Sequence, residues 1–595
     1  MATNEGARAE YGRRLAARRA QAERLARLEL RISRARMVVF LSGIVVAWCA
    51  FDRQLLSPWW LTVAAAVFVG LVLRHERVIG DRRRFDRAVK FYERGLARLD
   101  SSWASAGETG ERFLAAAHPY AADLDVFGEG SLFQLLCTAR TRGGEETLAA
   151  WLCAPADVAE IRARQAAIRE LTPRLDLREE LALLGRDVRS GVHPAALEHW
   201  SVSAPLLTSR AAQVAAAVLV AAVLLAALAW AGGWSSVPLA AALLAEGVFA
   251  AALRQRVAHV LRAVPRPGRD LGLLAQVLAL IERQQFAAPR LTALRSALDT
   301  DGVPPSRQIA ALHRLIHLLD ARKNQLFAPL SGLLLWGTQL SLAIERWRVR
   351  HGAAIGRWLT AVGELEAFCA FAAYAYEHPA DVFPDVVAAA ACFDAVGLGH
   401  PLIPDERCVR NDVRLGAPHR LLIVSGSNMS GKSTLLRAVG INTVLALAGA
   451  PVRAHRLRVA PLAVGCSIRI QDSLQQGTSR FYAEITRLRQ LMDLASGPQS
   501  LLFLLDEILH GTNSHDRGIG AVAVVSGLLR RGAIGLITTH DLALAHIDAC
   551  LDGAANVHFE DHLENGRMVF DYRMRPGIVE KSNAVELMRA VGLEV

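Results

Sequence analysis

The stretch SGSNMSGKST, residues 425–434, lies between the apolar run LLIV and the apolar helix-like run LLRAVGINTVLALAG. It meets the spacing of a phosphate-binding loop at Gly426, Gly431, Lys432 and Ser433. In such a loop the glycines let backbone N–H groups approach phosphates, the lysine neutralises the β and γ oxygens, and the serine hydroxyl ligates Mg²⁺. The stretch therefore predicts a strand–loop–helix unit of an α/β domain that binds ATP or GTP with Mg²⁺.

Two later apolar runs end in residues suited to nucleotide hydrolysis. SLLFLLDEI (500–508) ends in Asp506, a candidate Mg²⁺ ligand, and Glu507, a candidate base for the attacking water. GLITTHD (535–541) ends at His540, a candidate sensor of the γ-phosphate. Alone, the acidic pair would be a solvated strand edge and the histidine a structural residue. Their order after a phosphate-binding loop favours the catalytic interpretation, with Glu507, His540 and Lys432 as catalytic residues.

These motifs together resemble the ATPase domain of the MutS mismatch-repair family. The resemblance is carried by GSNMSGKST, DEILHGTNSHDRG (506–518), TTHD and the segment 555–593, which begins ANVHFEDH. It implies an ABC-type P-loop domain over residues 401–595 with ATP and Mg²⁺ as cofactors. The nucleotide-binding residues that it implies are Gly426, Ser427, Asn428, Met429, Ser430, Gly431, Lys432, Ser433 and Thr434, with Ser433 and Asp506 for the metal.

The same resemblance implies a homodimer with composite ATP sites. SIRIQDSLQQGTSRFYAEITRL (467–488) is similar to the family segment between the two nucleotide motifs, and Ser479 would approach the γ-phosphate bound by the partner subunit. The usual Ser-Thr-Phe of the family is here Ser479-Arg480-Phe481. GTNSHD (511–516) would lie at the dimer interface.

The middle of the chain resembles the helical core and lever of that family at residues 135–171 and 361–403. We therefore expect lever helices over 74–210 and 254–400. The Phe-x-Glu wedge with which the family reads mismatches is matched by Phe91-Tyr92-Glu93, on a basic helical stretch that we expect to be a solvated helix face. The sequence thus indicates a member of the family without the mismatch-recognition domain.

Two apolar hairpins interrupt this plan. Residues 37–51 and 54–73 carry no charge apart from the break at Asp52 and Arg53, and residues 211–253 form a second hairpin around WAGGWSSVP. Such lengths favour membrane insertion over buried helices of an Ala-rich core. The basic arm at 1–36 and the arginines after residue 73 place the ATPase domain in the cytoplasm, so we expect a multi-pass protein of the cytoplasmic membrane.

Composition agrees with this division. A chain of 595 residues exceeds one ordinary core, and 52% apolar residues with a mean hydropathy of +0.24 suit soluble domains joined to membrane segments. The net charge of +11 fits nucleic acid, anionic lipid or the cytoplasmic bias of membrane proteins. The eight cysteines show no Cys-x-x-Cys pair, so neither a zinc site nor a disulfide framework is indicated.

Three functions remain open from the sequence. The first is a membrane-anchored MutS-like ATPase that couples ATP binding and hydrolysis to DNA, including mismatched or branched DNA, in repair. The second is a membrane-bound ABC-like mechanochemical or transport ATPase without a DNA substrate. The third is a membrane scaffold with residual nucleotide binding, which the presence of Lys432, Asp506, Glu507 and His540 disfavours.

Overall fold

A computed structural model describes most of the chain, namely residues 4–184, 194–263, 268–299, 302–321, 328–427, 429–469, 480–509, 514–540, 545–546, 548, 551–564 and 567–579. A mostly helical part comes first and a mixed α/β part follows, as the sequence predicts.

The chain begins with a long antiparallel helical pair, α1 (Glu5–Phe51) and α2 (Trp60–Leu99). The predicted basic arm and the first predicted span belong to one continuous helix. We call residues 5–36 of α1 and 74–99 of α2 the stalk. The expectation of a solvated face around residue 92 is wrong for Tyr92, which is fully buried and donates a 2.5 Å hydrogen bond to the Glu179 carboxylate.

Within the described residues, three helices are long and apolar enough to cross a membrane: α1, α8 (Arg210–Ala231) and α9 (Val237–Ala263). The second span of the first predicted hairpin, residues 54–73, is not among them. The turn occupies residues 52–59, so only residues 60–73 of α2 are helical and uncharged. The apolar windows of the three helices are 6%, 17% and 6% buried, which argues against their being core helices.

The helical body connects and follows these hairpins. Its helices are α3 (Leu132–Leu136), α4 (Arg142–Cys153), α5 (Val158–Leu171), α6 (Leu175–Leu183), α7 (Pro194–Val202), α10 (Gly268–Arg283), α11 (Pro289–Ser296), α12 (Pro305–Ala321), α13 (Ala328–Leu333) and α14 (Trp336–Glu377). The 42-residue α14 spans about 63 Å at 1.5 Å per residue and buries Trp358 and Phe368. Long helices are therefore present within residues 254–400, where the sequence predicts lever helices.

The stalk joins the carboxyl end of α14 through a buried polar cluster. Arg98 donates from Nε to Oε2 of Glu377 at 2.7 Å, and the Tyr11 hydroxyl donates to Oε1 of the same carboxylate at 3.1 Å. Tyr11 and the Glu377 side chain are about 1% exposed. The base of the first hairpin is thus fixed to the end of the lever that leads into the α/β domain.

That domain contains β1 (Asp385–Val386), β2 (Phe393–Leu398), β3 (Asn411–Leu415), β4 (Leu421–Ser425), α15 (Lys432–Ala448), β5 (Arg456–Val459), β6 (Ala463–Ser467), α16 (Arg480–Leu494), β7 (Leu501–Asp506), α17 (Ser514–Arg530), β8 (Ile534–Thr539), β9 (Ala554–Glu564) and β10 (Arg567–Pro576). In the described residues, one sheet has the order β1-β5-β2-β3 and the larger has the order β10-β9-β4-β8-β7-β6. In the larger sheet only the β9–β10 pair is antiparallel.

Alternation along β7 divides its side chains between two cores. Leu502 and Leu504 pack in the large core shared with the helical body, whereas Leu501, Phe503 and Leu505 pack on the opposite face. Strands buried on both faces read as continuous apolar runs, which explains LLFLL and LLIV. Because β8 lies between β4 and β7, the carboxyl ends of these three parallel strands meet at one edge of the sheet.

Candidate active site

The loop after β4 has the backbone of a phosphate cradle. Gly426 and Gly431 have φ angles of +145° and +105°, a region that other residues rarely adopt. A Cβ on Gly426 would lie 2.9 Å from Ser430 Oγ and 3.0 Å from the Phe559 carbonyl oxygen. Helix α15 begins directly at Lys432, so its unpaired N–H groups and the positive end of its dipole face this loop.

Lys432 is almost fully buried at the start of α15. Its Nζ donates to the carbonyl oxygens of Gly426 at 2.8 Å and Ser427 at 2.7 Å, and lies 3.9 Å from Oε1 of Glu507. Burial lowers the pKa of Lys432, while the negative charges of Glu507 and Asp506 act in the opposite direction. The ammonium is thus held in the loop beside the carboxylate of Glu507, which follows β7, two strands away from β4 in the sheet.

The acidic pair at the end of β7 is tied to β8. Asp506 is paired with Thr538 in the parallel register, and the Thr538 hydroxyl donates to its Oδ1. The next residue, Glu507, has a φ of +48°, and its N–H donates to Thr538 Oγ1 at 3.1 Å. A left-handed backbone at a non-glycine residue is uncommon and is found most often at functional sites.

His540 follows β8 and reaches the same carboxylate. Its Nδ1 lies 3.1 Å from Oε1 of Glu507, and the side chain is 44% exposed. The structure therefore brings together Lys432, Glu507 and His540, the three residues that the sequence predicts as catalytic.

A cavity of about 620 Å³ opens beside these groups. Its lining includes the predicted residues Met429, Gly431, Lys432, Ser433, Thr434 and Glu507. The sequence prediction missed other lining residues, among them His400, Arg407, Val409, Asn411, Phe559 and Tyr572. The stretches 399–412 and 555–574 contain these residues, but no spacing rule connects them with the loop.

Asn411 links two of the segments that line the cavity. Its Nδ2 donates to the Tyr572 carbonyl oxygen at 3.0 Å, and its Oδ1 accepts from the Met574 N–H at 2.7 Å. This pair of hydrogen bonds holds β10, and with it the Tyr572 ring, beside the phosphate-binding loop.

The residues present fit a nucleoside polyphosphate with Mg²⁺. The hydroxyls of Ser427 and Ser430 are buried without a hydrogen-bond partner among the described residues, so they are available for phosphate oxygens. The described residues contain no group of three or more His, Cys, Asp or Glu side chains that could hold a metal. Mg²⁺ at Ser433 and Asp506 would therefore depend on phosphate oxygens for further ligands. Asn428 and Ser479 lie outside the described residues.

These features define a P-loop nucleotide-binding domain carried by a helical lever. A family model described as MutS domain V matches residues 422–594, and one described as MutS domain III matches residues 121–372. Together the two models match more than two thirds of the chain. The chain belongs to the MutS family, in which domain V is the ATPase domain.

Two curated relatives agree with this assignment. The chain is 33% identical over 195 residues to a protein named Endonuclease MutS2 from Thermus thermophilus, which covers 33% of this chain and 25% of the relative. It is 33% identical over 262 residues to a DNA mismatch repair protein MutS from Natronomonas pharaonis, which covers 42% of this chain and 30% of the relative. The chain thus aligns with less than a third of the length of either relative.

Proposed function

We propose that this protein is a membrane-anchored MutS-type ATPase in which the ends of three adjacent strands form the hydrolytic centre. The observation that carries the proposal is the position of Glu507 Oε1, 3.9 Å from Lys432 Nζ and 3.1 Å from His540 Nδ1 at the rim of the cavity. A loop that only stores nucleotide does not require a base and a histidine at this point.

The chemistry follows from the groups present. Glu507 accepts a proton from water as the water oxygen attacks the γ-phosphorus, and the bond from that phosphorus to the β–γ bridging oxygen breaks, which gives ADP and phosphate. Lys432 and the amino end of α15 stabilise the negative charge on the phosphate oxygens. Mg²⁺, held by Ser433 and Asp506 in this proposal, would neutralise further charge on the β and γ oxygens.

His540 serves as a positioning residue in this proposal. It follows β8, next to β7, whose last residue precedes Glu507, and its Nδ1 lies 3.1 Å from Oε1 of Glu507. A γ-phosphate placed between the loop and Glu507 would be within its reach. His540 would then orient the carboxylate according to whether the γ-phosphate is present.

Homodimerisation is supported by exposed apolar residues near the site. Met429 in the loop is 84% exposed, and Tyr482 on α16 and Ile519 on α17 are 63% and 60% exposed. Burying these side chains against a second copy of the chain would remove apolar surface from water. We propose that two chains enclose ATP between them, with Ser479 and the GTNSHD segment of each facing the nucleotide of the other.

Membrane anchoring is supported by the three long apolar helices and by the side chains at their turns. Trp59 and Trp60 at the first turn and Trp234 at the second are 76%, 57% and 74% exposed. Tryptophan is enriched where a membrane meets water. Both hairpins would insert from the cytoplasmic side, and the ATPase domain would remain in the cytoplasm.

DNA is the proposed partner because the two relatives are named for mismatch repair and endonuclease activity. The alternative is a mechanochemical or transport ATPase that moves the apolar hairpins and does not act on DNA. The direct attachment of the stalk to α14 through Arg98 and Glu377 favours this alternative, because it connects the first hairpin to the lever.

The test is phosphate release by the full-length protein in a neutral detergent, with and without duplex, mismatched or branched DNA. We expect Mg²⁺-dependent ATP turnover that Lys432→Ala abolishes together with nucleotide binding. Stimulation by DNA, and binding that weakens steeply with salt, would support the repair function. Turnover without any DNA binding at low salt would leave the alternative, and absence of turnover in all conditions would refute the proposal.

A further inference from the structure

The arginines of the stalk differ in their partners according to their position. Near the base, each of five arginines forms an ion pair with a carboxylate at 2.5–2.7 Å: Arg8, Arg13, Arg14, Arg18 and Arg19. Some of these carboxylates belong to the helical body, such as Glu179, which pairs with Arg18. Carboxylates of the protein itself therefore neutralise the positive charge at this end of the stalk.

Toward the apolar hairpin the arginines of α1 have no such partners. Arg24, Arg27, Arg31 and Arg34 are all exposed, and none makes a hydrogen bond or ion pair with any residue that the structure describes. They follow the spacing i, i+3, i+7 and i+10, which places them on one face of a helix. The last of them lies three residues before Met37, where the apolar stretch begins.

Helix α2 repeats the arrangement on its own outer side. Arg74, Arg77 and Arg84 follow the spacing i, i+3 and i+10, and Arg83 points to another side of the helix. All four are exposed and lack a partner among the described residues. Because the two helices pack against each other, their exposed faces lie on opposite sides of the pair. The eight arginines therefore surround the stalk, and we call them the collar.

The collar is strongly positive. Residues 24–36 and 74–84 contain ten arginines and only three carboxylates, at Glu29, Glu76 and Asp81, which gives a formal charge of +7. Glu29 is already paired with Arg82, which is not part of the collar. Eight cations without partners among the described residues, spread over about 15 Å of each helix, favour an anionic surface as their ligand.

The length of the hairpin points to a membrane surface. The uncharged stretch 37–51 is about 22 Å long as a helix, and residues 60–73 measure about 21 Å, whereas a hydrocarbon core is about 30 Å thick. A short hairpin thins the bilayer locally or draws its flanking residues toward the headgroups. A headgroup layer also surrounds the stalk on all sides, as the collar does, whereas a nucleic-acid duplex would contact only one side.

We propose that the collar binds the phosphate groups of anionic phospholipids in the membrane that receives the first hairpin. This inference rests on the membrane anchoring proposed above. It names the lipid class that the anchor requires, and it assigns the arginines between residues 24 and 34 to the membrane instead of to DNA.

The test is native mass spectrometry of the full-length protein in neutral detergent, titrated with dioleoylphosphatidylglycerol or, for comparison, dioleoylphosphatidylcholine. We expect the protein to bind dioleoylphosphatidylglycerol, the anionic lipid, in preference to dioleoylphosphatidylcholine. The variant R24Q/R27Q/R31Q/R34Q should lose affinity by a factor of roughly 600, since each of the four basic residues near a membrane surface contributes about fivefold. R24K/R27K/R31K/R34K should retain most of the binding because the charge is unchanged.

The matched control is R295Q/R307Q/R489Q/R530Q, which removes four exposed arginines outside both hairpins. This control variant should bind dioleoylphosphatidylglycerol as tightly as the wild-type protein does. Equal loss in this control, or equal binding of both lipids by the wild-type protein, would overturn the proposal.

Two further measurements separate the possible failures. Retention of the wild-type chain in the membrane pellet after alkaline carbonate tests the anchor itself; extraction would refute the anchor and the collar together. Fluorescence anisotropy with a 30-base-pair duplex tests the other polyanion. If the glutamine variant binds lipid normally but its salt slope for DNA falls by about 4, the collar is a nucleic-acid surface and the lipid proposal is wrong.

Discussion

His540 Nδ1 lies 3.1 Å from Oε1 of Glu507, although 33 residues separate them in the chain. The contact exists because β7 and β8 are parallel neighbours in register, with Asp506 opposite Thr538. It connects the proposed base to the residue that would sense the γ-phosphate.

The first prediction concerns the proposed base. Glu507→Gln keeps the size of the side chain but cannot accept the proton of water at neutral pH, so ATP turnover should fall by about 10²–10⁴-fold while nucleotide affinity changes little. Phosphate release and binding of a fluorescent ATP analogue measure the two effects. ATP should then accumulate on a dimer visible by light scattering; turnover at the wild-type rate would show that Glu507 is not the base.

The second prediction separates positioning from proton transfer. His540→Ala removes the contact with Glu507 but leaves the carboxylate, so turnover should fall less than in Glu507→Gln. His540→Asn retains a polar group at the Nδ1 position and should recover part of the rate. A loss in His540→Ala as large as that in Glu507→Gln, without recovery in His540→Asn, would assign the histidine a direct chemical role.

The third prediction concerns the buried carboxyl of Glu366 on α14. Burial raises its pKa from 4.5 to about 7, although its oxygens accept from the Arg140 N–H at 2.9 Å and the Thr141 N–H at 3.2 Å. The folded state therefore binds a proton that the unfolded state releases between pH 4.5 and 7. The stabilisation is complete below pH 4.5 and is lost as the pH rises through 7, a difference of about 3 kcal/mol at most.

Glu366→Gln isolates this effect. Relative to the wild-type protein, the variant should become progressively more stable as the pH rises from 5 to 8, as measured by thermal unfolding. The comparison with wild type is needed because burial lowers the pKa of His378 and His400, so these residues favour folding as the pH rises. A difference between variant and wild type that is constant with pH would contradict the raised pKa of Glu366.

The fourth prediction concerns the junction of stalk and lever. Glu377→Ala leaves the Arg98 guanidinium buried without its partner and should destabilise the protein by about 3–5 kcal/mol. Limited proteolysis should then cut near residue 100 first. The double variant Arg98→Met with Glu377→Met removes both charges and should recover much of the stability. If Glu377→Ala behaves as the wild-type protein does in both assays, this junction does not hold the stalk.

The fifth prediction tests the packing that sets the distance between His540 and Glu507. A Cβ on Gly535 in β8 would lie 2.3 Å from the Phe503 carbonyl oxygen of β7, so Gly535→Ala must separate the two strands. We expect a destabilisation of about 1–3 kcal/mol and reduced turnover. Gly518→Ala in α17, where a Cβ meets nothing within 4 Å, is the matched control and should be neutral or stabilising. Equal effects of the two substitutions would contradict this account.

The sequence by itself determined the loop to which we assign phosphate binding, because such a loop acts through local geometry. A loop such as 426–434 acts through consecutive residues, so its spacing is visible in the sequence. The apolar runs before Ser425, Asp506 and His540 predict buried parallel strands whose carboxyl ends lie at one edge of a sheet. The presence of an apolar segment long enough to cross a membrane in α1, α8 and α9 follows in the same way from local composition. The shortness of the second uncharged stretch, residues 60–73, does not follow from composition, because the folded hairpin sets the position of the turn at residues 52–59.

Only the tertiary structure decided which distant residues meet. The cavity joins Arg407 and Asn411, after β2, to Phe559 and Tyr572, in β9 and β10, and no periodicity relates these segments. Tyr92 is buried because the stalk packs against α6, where the Glu179 carboxylate accepts a hydrogen bond from the Tyr92 hydroxyl. A helix that looks solvated in the sequence therefore contains a buried polar residue. Partner choice for the stalk arginines is decided in the same way: Arg14, Arg18 and Arg19 near the base meet carboxylates of other elements, whereas the collar arginines have no such partner among the described residues. Sequence records the type of each side chain, whereas packing decides which charges are neutralised within the protein and which remain for a ligand.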